Sequence, residues 1–146
     1  MQYDLHNRVA HVGAIVPQTL AQTASPDGLS SSGVDLRFFH SAELAVYLGD
    51  IDEMGSSPVG DAKVQVQLQH SDDNSTFTNV ALADVLGPSS VSGGIVASST
   101  TDNTILEVGY VGGKRYIKVI VIPTGLTNGG PVAAWVTKGN PRHAPQ

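Results

Sequence analysis

The sequence predicts an all-β chain: an antiparallel β-sandwich, jelly-roll-like, with an extended N-terminal arm and an extended C-terminal tail. Three observations carry this. KVQVQLQHS (63–71) alternates strictly, with Val64, Val66 and Leu68 on one face and Gln65, Gln67 and Gln69 on the other. About seven or eight strand-like segments follow one another at intervals of roughly 8 to 14 residues, punctuated by Gly, Pro, Asn and Asp turns. No stretch carries a sustained helical stripe, so the crossover segments of an α/β fold are missing.

Residues 1–32 differ in texture from the rest. Val12, Ile15, Val16 and Leu20 fit one surface poorly, Pro17 interrupts them, and Pro26-Asp27-Gly28 marks a turn. The expectation here is an extended arm with one short strand. The body, 33–138, opens where Val34, Leu36 and Phe38 alternate with Asp35, Arg37 and Phe39. SAELAVYLGDI continues it, setting Leu44, Val46 and Leu48 against Glu43, Ala45 and Tyr47. DIDEMGSSPVGD is an acidic loop leading into KVQVQLQHS. The turn Asp72-Asp73-Asn74-Ser75 hands that strand to TFTNVAL as a hairpin.

Helical spacing shows only at NVALADVLG, enough for one or two turns. Residues 87–103 read as loop with a short strand over Gly94 to Ser99. TILEVGYV places Ile105 and Glu107 opposite Leu106 and Val108. Gly112-Gly113 offers the positive-φ positions of a tight turn, so RYIKVIVIP is expected to return antiparallel to it. LTNGG turns the chain into a last strand, PVAAWVTKG. The tail 139–146, GNPRHAPQ, carries two prolines and is expected to be extended.

Bulk properties narrow the function classes. At 146 residues the chain suits one domain, and 40% hydrophobic residues supply a core. Only 14% is charged, leaving a neutral polar surface that loses little on packing against a neighbour. A net charge of −5 argues against nucleic acid, whose phosphates need a basic face. The absence of cysteine excludes disulfides, thiolate metal sites and thiol catalysis. No cationic start with an apolar run opens the chain, and no segment has the ~18 apolar residues of a membrane helix. A soluble protein is the expectation.

No constellation points to catalysis, so no enzyme is predicted and no cofactor is called for. The histidines at 6, 11, 40, 70 and 143 match no zinc spacing, although His70 is in phase with the buried face of its strand and belongs at the sheet rim. The acids of DIDEMG and SDDNS have the composition of a cation loop without its ligand register, and read as turns whose side chains bond their own backbone. No G-x-S-x-G elbow is present. Lys114 and Arg115 read either as a charged turn that keeps an edge soluble or as a basic knob seated on an acidic neighbour. Trp135 reads as core or interface, with a sugar-stacking platform as the alternative.

HVGAIVPQTL (11–20), LQHSDDNSTFTNVALADVLG (68–87) and VGYVGGKRYIKVIVIPTG (108–125) followed by GNPRHAP resemble one group of small tailed-bacteriophage virion proteins. These are the capsid decoration, or cement, proteins encoded beside the major capsid protein. The resemblance spans most of the chain and contains no catalytic motif. It implies a non-enzymatic β body, made in the host bacterial cytoplasm, that binds the outer surface of the assembled capsid as a dimer or trimer. There it would bridge neighbouring copies of the major capsid protein, without nucleic acid or membrane as partner. The expected contacts are His11, Val12, Ile15 and Pro17 in the arm, Lys114 and Arg115 at the glycine turn, and Arg142 and His143 in the tail. On that view, removing residues 1–20 weakens particle binding and leaves the body stable. A carbohydrate-binding sandwich and a head-completion or tail protein are the competing readings.

Overall fold

A computed structural model describes residues 4–23, 25–55 and 60–142. In chain order its strands are β1 (Val9–Leu20), β2 (Leu29–Ser30), β3 (Val34–Asp35), β4 (Phe39–Leu48), β5 (Lys63–Ser71) and β6 (Thr78–Asn79). They continue with β7 (Val85–Leu86), β8 (Ile95–Ser99), β9 (Thr104–Tyr110), β10 (Tyr116–Thr124) and β11 (Gly130–Pro141). One sheet has the order β1-β11-β4-β9-β7. In the other, β10 and β5 form the centre; β2 and β3 share the outer edge of β10, and β6 and β8 share that of β5. Every pairing is antiparallel, and the two sheets pack as an all-β sandwich.

Alternation decides which faces meet. Leu44, Val46 and Leu48 of β4 and Val132, Ala134 and Val136 of β11 face Val64, Val66 and Leu68 of β5 and Ile117, Val119 and Val121 of β10. All of these are buried. Burying each aliphatic side chain contributes about 1.5–3 kcal/mol, so this shared layer is the main source of stability. Ile105 and Glu107 of β9 point outward while Val108 points in, as their alternation requires.

The N-terminal segment departs from the expected arm. β1 runs beside β11 from Val9↔Gly139 to Leu20↔Gly130 as a full edge strand, burying Ile15 and Leu20 and packing Val12 and Ala14 on the core. Its register shifts twice, between Gly13 and Ile15 and between Ile15 and Gln18. Each bulge inserts a residue and flips the phase of those that follow, which explains the poor periodicity. The second bulge holds Val16 and Pro17, where a residue without an N–H costs no ladder bond. The tail is corrected at its start as well: Gly139, Asn140 and Pro141 complete β11, with Pro141 opposite Phe39.

The expected hairpin over 109–125 is not one. β9 pairs with β4 and β7 in the first sheet, whereas β10 pairs with β2, β3 and β5 in the second. Residues 111–115 therefore carry the chain from one sheet to the other. Neither Gly112 nor Gly113 has a positive φ. Gly112 serves a close approach instead, since a Cβ there would lie 2.6 Å from the Tyr110 hydroxyl. Likewise the strand expected from Val34 is cut at Leu36–Phe38, where the chain passes from β3 in the second sheet to β4 in the first. NVALADVLG forms only a single 3-10 turn, Leu82–Asp84.

Candidate functional site

Two sheet-to-sheet crossings and the end of β11 meet at one end of the sandwich. Residues 36–38, residues 111–115 and Arg142 enclose a groove of about 470 Å³ there. Its floor is Tyr110, buried at the last position of β9. The Tyr110 hydroxyl accepts the Lys114 N–H at 3.1 Å and lies 3.1 Å from His70 Nδ1. The His70 ring stands edge-on to it, with centroids 6.0 Å apart. Burial raises the tyrosine pKa, so the hydroxyl stays protonated and free to donate towards histidine. Because Gly112 lacks a Cβ, the crossing segment can lie directly over this ring. The Asp84 carbonyl then pins it, accepting from Val111 and Gly112 at 2.8 and 3.1 Å.

Four cations line the groove: Arg37, Lys114, Arg115 and Arg142. Arg115 grips Asp35 of β3 through Nε and Nη2, at 3.0 and 2.7 Å, and that guanidinium holds the Asp35 carboxyl down at about 2. Lys114 pairs with Asp72. Arg37 lies only 3.9 Å from an Asp35 oxygen that Arg115 already occupies. Among the described residues, Arg142 has no carboxylate within ion-pair distance; its backbone N–H donates to the Phe38 carbonyl at 2.8 Å.

The rim is apolar and partly strained. Phe38 has φ +74° and is 50% exposed, with the Arg37 guanidinium 4.8 Å from its ring centroid. A bulky side chain in the left-handed region costs about 1–2 kcal/mol, so the surrounding bonds must impose this geometry. They are Phe39 N–H to Leu36 O at 3.1 Å and Arg142 N–H to Phe38 O. Val111, which also lines the groove, is 54% exposed.

Of the sequence-expected contact residues, Lys114, Arg115 and Arg142 are brought together in this groove, although they come from separate stretches of the chain. The four on β1 do not line it. His11 is exposed and bonded to Thr137 Oγ1 at 3.0 Å, Val12 is half-buried, and Pro17 is exposed in its bulge. Ile15 is corrected: it is only 5% exposed and belongs to the core, so it cannot reach a partner in the folded protein. His143 lies outside the described residues. Sequence reasoning missed Arg37 and Phe38. The signal for them was the pair Phe38-Phe39, since two adjacent rings cannot both face one core and the alternation must fail there.

Outward on the first sheet, Tyr47 and Ile105 stand directly opposite each other and exposed, and half-buried Trp135 sits opposite Ala45 on the same face. Trp135 is thus outside the core cluster. The acidic stretches are occupied by their own backbone. Asp73 accepts from Ser75 and Thr76 N–H at 2.9 and 2.8 Å and from Ser71 Oγ, which pulls its carboxyl well below the usual range. Glu53 accepts from Asn128 and Gly129 N–H, clamping the turn before β11. Among the described residues no helix is long and apolar enough to cross a membrane. Compared with known proteins, the chain matches no protein-family model, no curated protein and no solved structure.

Proposed function

We propose that the protein is a non-enzymatic virion structural protein that binds the outer surface of an assembled phage capsid and bridges neighbouring copies of the major capsid protein. The observation that carries this reading is the convergence of Lys114, Arg115 and Arg142 with Arg37 and the strained, outward-held ring of Phe38 at one end of a rigid sandwich. Two of the stretches that resemble decoration proteins, residues 108–125 and 139–145, supply three of those cations. Strained backbone positions that the surrounding structure holds in place cluster at functional sites.

The strand order supports a jelly roll. Counting β2 with β3, and β6 with β8, as single arms and setting aside the two-residue β7 at the edge of the first sheet, the first, last, third and sixth arms share one sheet, and the second, seventh, fourth and fifth share the other. Stabilisation follows from linkage. A protein that binds the assembled shell and not free subunits stabilises the shell by about 2.7 kcal/mol per site at a hundredfold excess over Kd. Many equivalent sites, on a dimer or trimer of the protein, multiply that effect.

The deciding experiment is quantitative densitometry of purified particles. Copies in the hundreds, matching the shell subunits, support the reading; a single ring's worth supports a connector or tail component, and none removes it. The outer face with Trp135, Tyr47 and Ile105 favours a second reading, a carbohydrate-binding sandwich. Glycan-array binding that is lost in Trp135→Ala would establish that one.

A further inference from the structure

We infer that the end groove receives an extended acidic segment carrying one aromatic or bulky aliphatic side chain. The chemistry stands on the groove alone; that the segment belongs to a capsid subunit rests on the proposed function.

Charge is the first argument. Four of the chain's eight Lys and Arg residues line this groove, against one of its thirteen Asp and Glu residues, Asp72. Among the described residues, Lys114 is matched by Asp72 and Arg115 by Asp35, so Arg37 and Arg142 supply the unbalanced charge. Guanidinium groups recognise carboxylates through paired N–H donors, which ammonium groups cannot do.

The apolar rim is the second. Phe38 and Val111, both lining the groove beside the cations, hold bulky apolar side chains in solvent. A partner that offered charge alone would leave both uncovered, whereas a segment with an apolar side chain between its carboxylates covers them. Nucleic acid fits less well. The chain carries net charge −5, and the four cations gathered here, two of them already paired with carboxylates, are too few for a dense phosphate backbone. The cavity, about 470 Å³, accommodates a few side chains and not a folded domain.

Fluorescence anisotropy tests this with labelled octapeptides of Asp and Glu. One has a central Phe, one a central Ser, and a third has Lys in place of every acid; labelled oligo-dT is the fourth probe. The Phe-centred acidic peptide is expected to bind and to weaken as salt is raised. Affinity should fall about tenfold or more with the Ser-centred peptide, and again with Arg37→Glu, Arg142→Glu or Phe38→Asn. The Lys peptide should not bind. Thermal melts check that each variant is folded, with Arg37→Gln and Arg142→Gln replacing any that is not.

No binding of the acidic peptide, binding indifferent to the Arg37 and Arg142 changes, or equal affinity for oligo-dT would each overturn the inference. Co-sedimentation with capsids keeps the two proposals apart. Peptide binding without capsid binding removes the proposed function and leaves the inference standing. Capsid binding that survives in variants that have lost peptide binding leaves both standing and removes only the assignment of the segment to a capsid subunit.

Discussion

Arg115 and Asp35, 80 residues apart in sequence, are joined side by side through two parallel hydrogen bonds of 3.0 and 2.7 Å. The pair ties the β9–β10 crossing to β3, and the Arg115 carbonyl reinforces the tie by accepting the Leu36 N–H at 2.9 Å. One edge of the groove is thereby built from two distant parts of the chain.

The first prediction is a pH dependence. Hydrogen bonding to Arg115 lowers the Asp35 carboxyl from 3.8 to about 2. Between those values the unfolded chain binds more protons than the folded one, so stability falls as pH drops through the window and is complete above it. With a third of the side chain exposed, solvent screening limits the effect to about 1 kcal/mol. Urea denaturation should show Asp35→Asn less stable than the parent by about that amount at pH 6, with the gap closing towards pH 2. A constant gap would mean that the charge is not the cause.

Gly112→Ala should destabilise by about 1–3 kcal/mol, because its Cβ would meet the Tyr110 ring and hydroxyl at 2.6–2.7 Å. The loss should shrink in a Tyr110→Leu background. Denaturant midpoints of the four proteins in that cycle measure the coupling, and simple additivity would contradict the contact.

Two neighbours on β1 should behave oppositely. Ile15→Ala leaves a core cavity and should cost about 2–4 kcal/mol, whereas Val16→Ala, at a position 70% exposed, should stay within about 0.5. Removing residues 1–20 takes away Ile15, Leu20 and a whole edge strand, so the shortened chain should lose cooperative unfolding in a thermal melt. A normal melt would return this segment to the status of an arm.

Phe38→Asn should leave stability unchanged or raise it by up to about 1 kcal/mol, since asparagine tolerates the left-handed region that phenylalanine resists. Binding at the groove should weaken in the same variant. Thermal denaturation checks the first half; a loss above about 1 kcal/mol would show that the ring supports the fold and is not held out for a partner.

Where alternation is uninterrupted, the sequence is transparent. Val64, Val66 and Leu68, and Leu44, Val46 and Leu48, were assignable to the interior because a period of two leaves a strand no other buried face. The turn at 72–75 was readable for a local reason, as Asp73 bonds amides two and three residues on. β1 was not, because its two bulges reset the phase and Pro17 imitates a break. The glycine segment misled because adjacency suggests a hairpin, while the choice between pairing and crossing is made by β4 and β5, which claim β9 and β10 for different sheets. Lys114, Arg115 and Arg142 stood out as charges, but their meeting with Arg37 and Phe38 follows from topology, which no local pattern encodes.

Scanning calorimetry of expanded capsids prepared without this protein, repeated as it is added back, decides whether the protein holds the shell together. The shell's thermal transition should rise with added protein and level off when the sites are full, and Arg37→Glu/Arg142→Glu protein should need far higher concentrations to produce the same rise. A transition that stays put at saturating protein would show that the protein does not stabilise the shell, and one that the altered protein raises equally well would show that it does not do so through this groove.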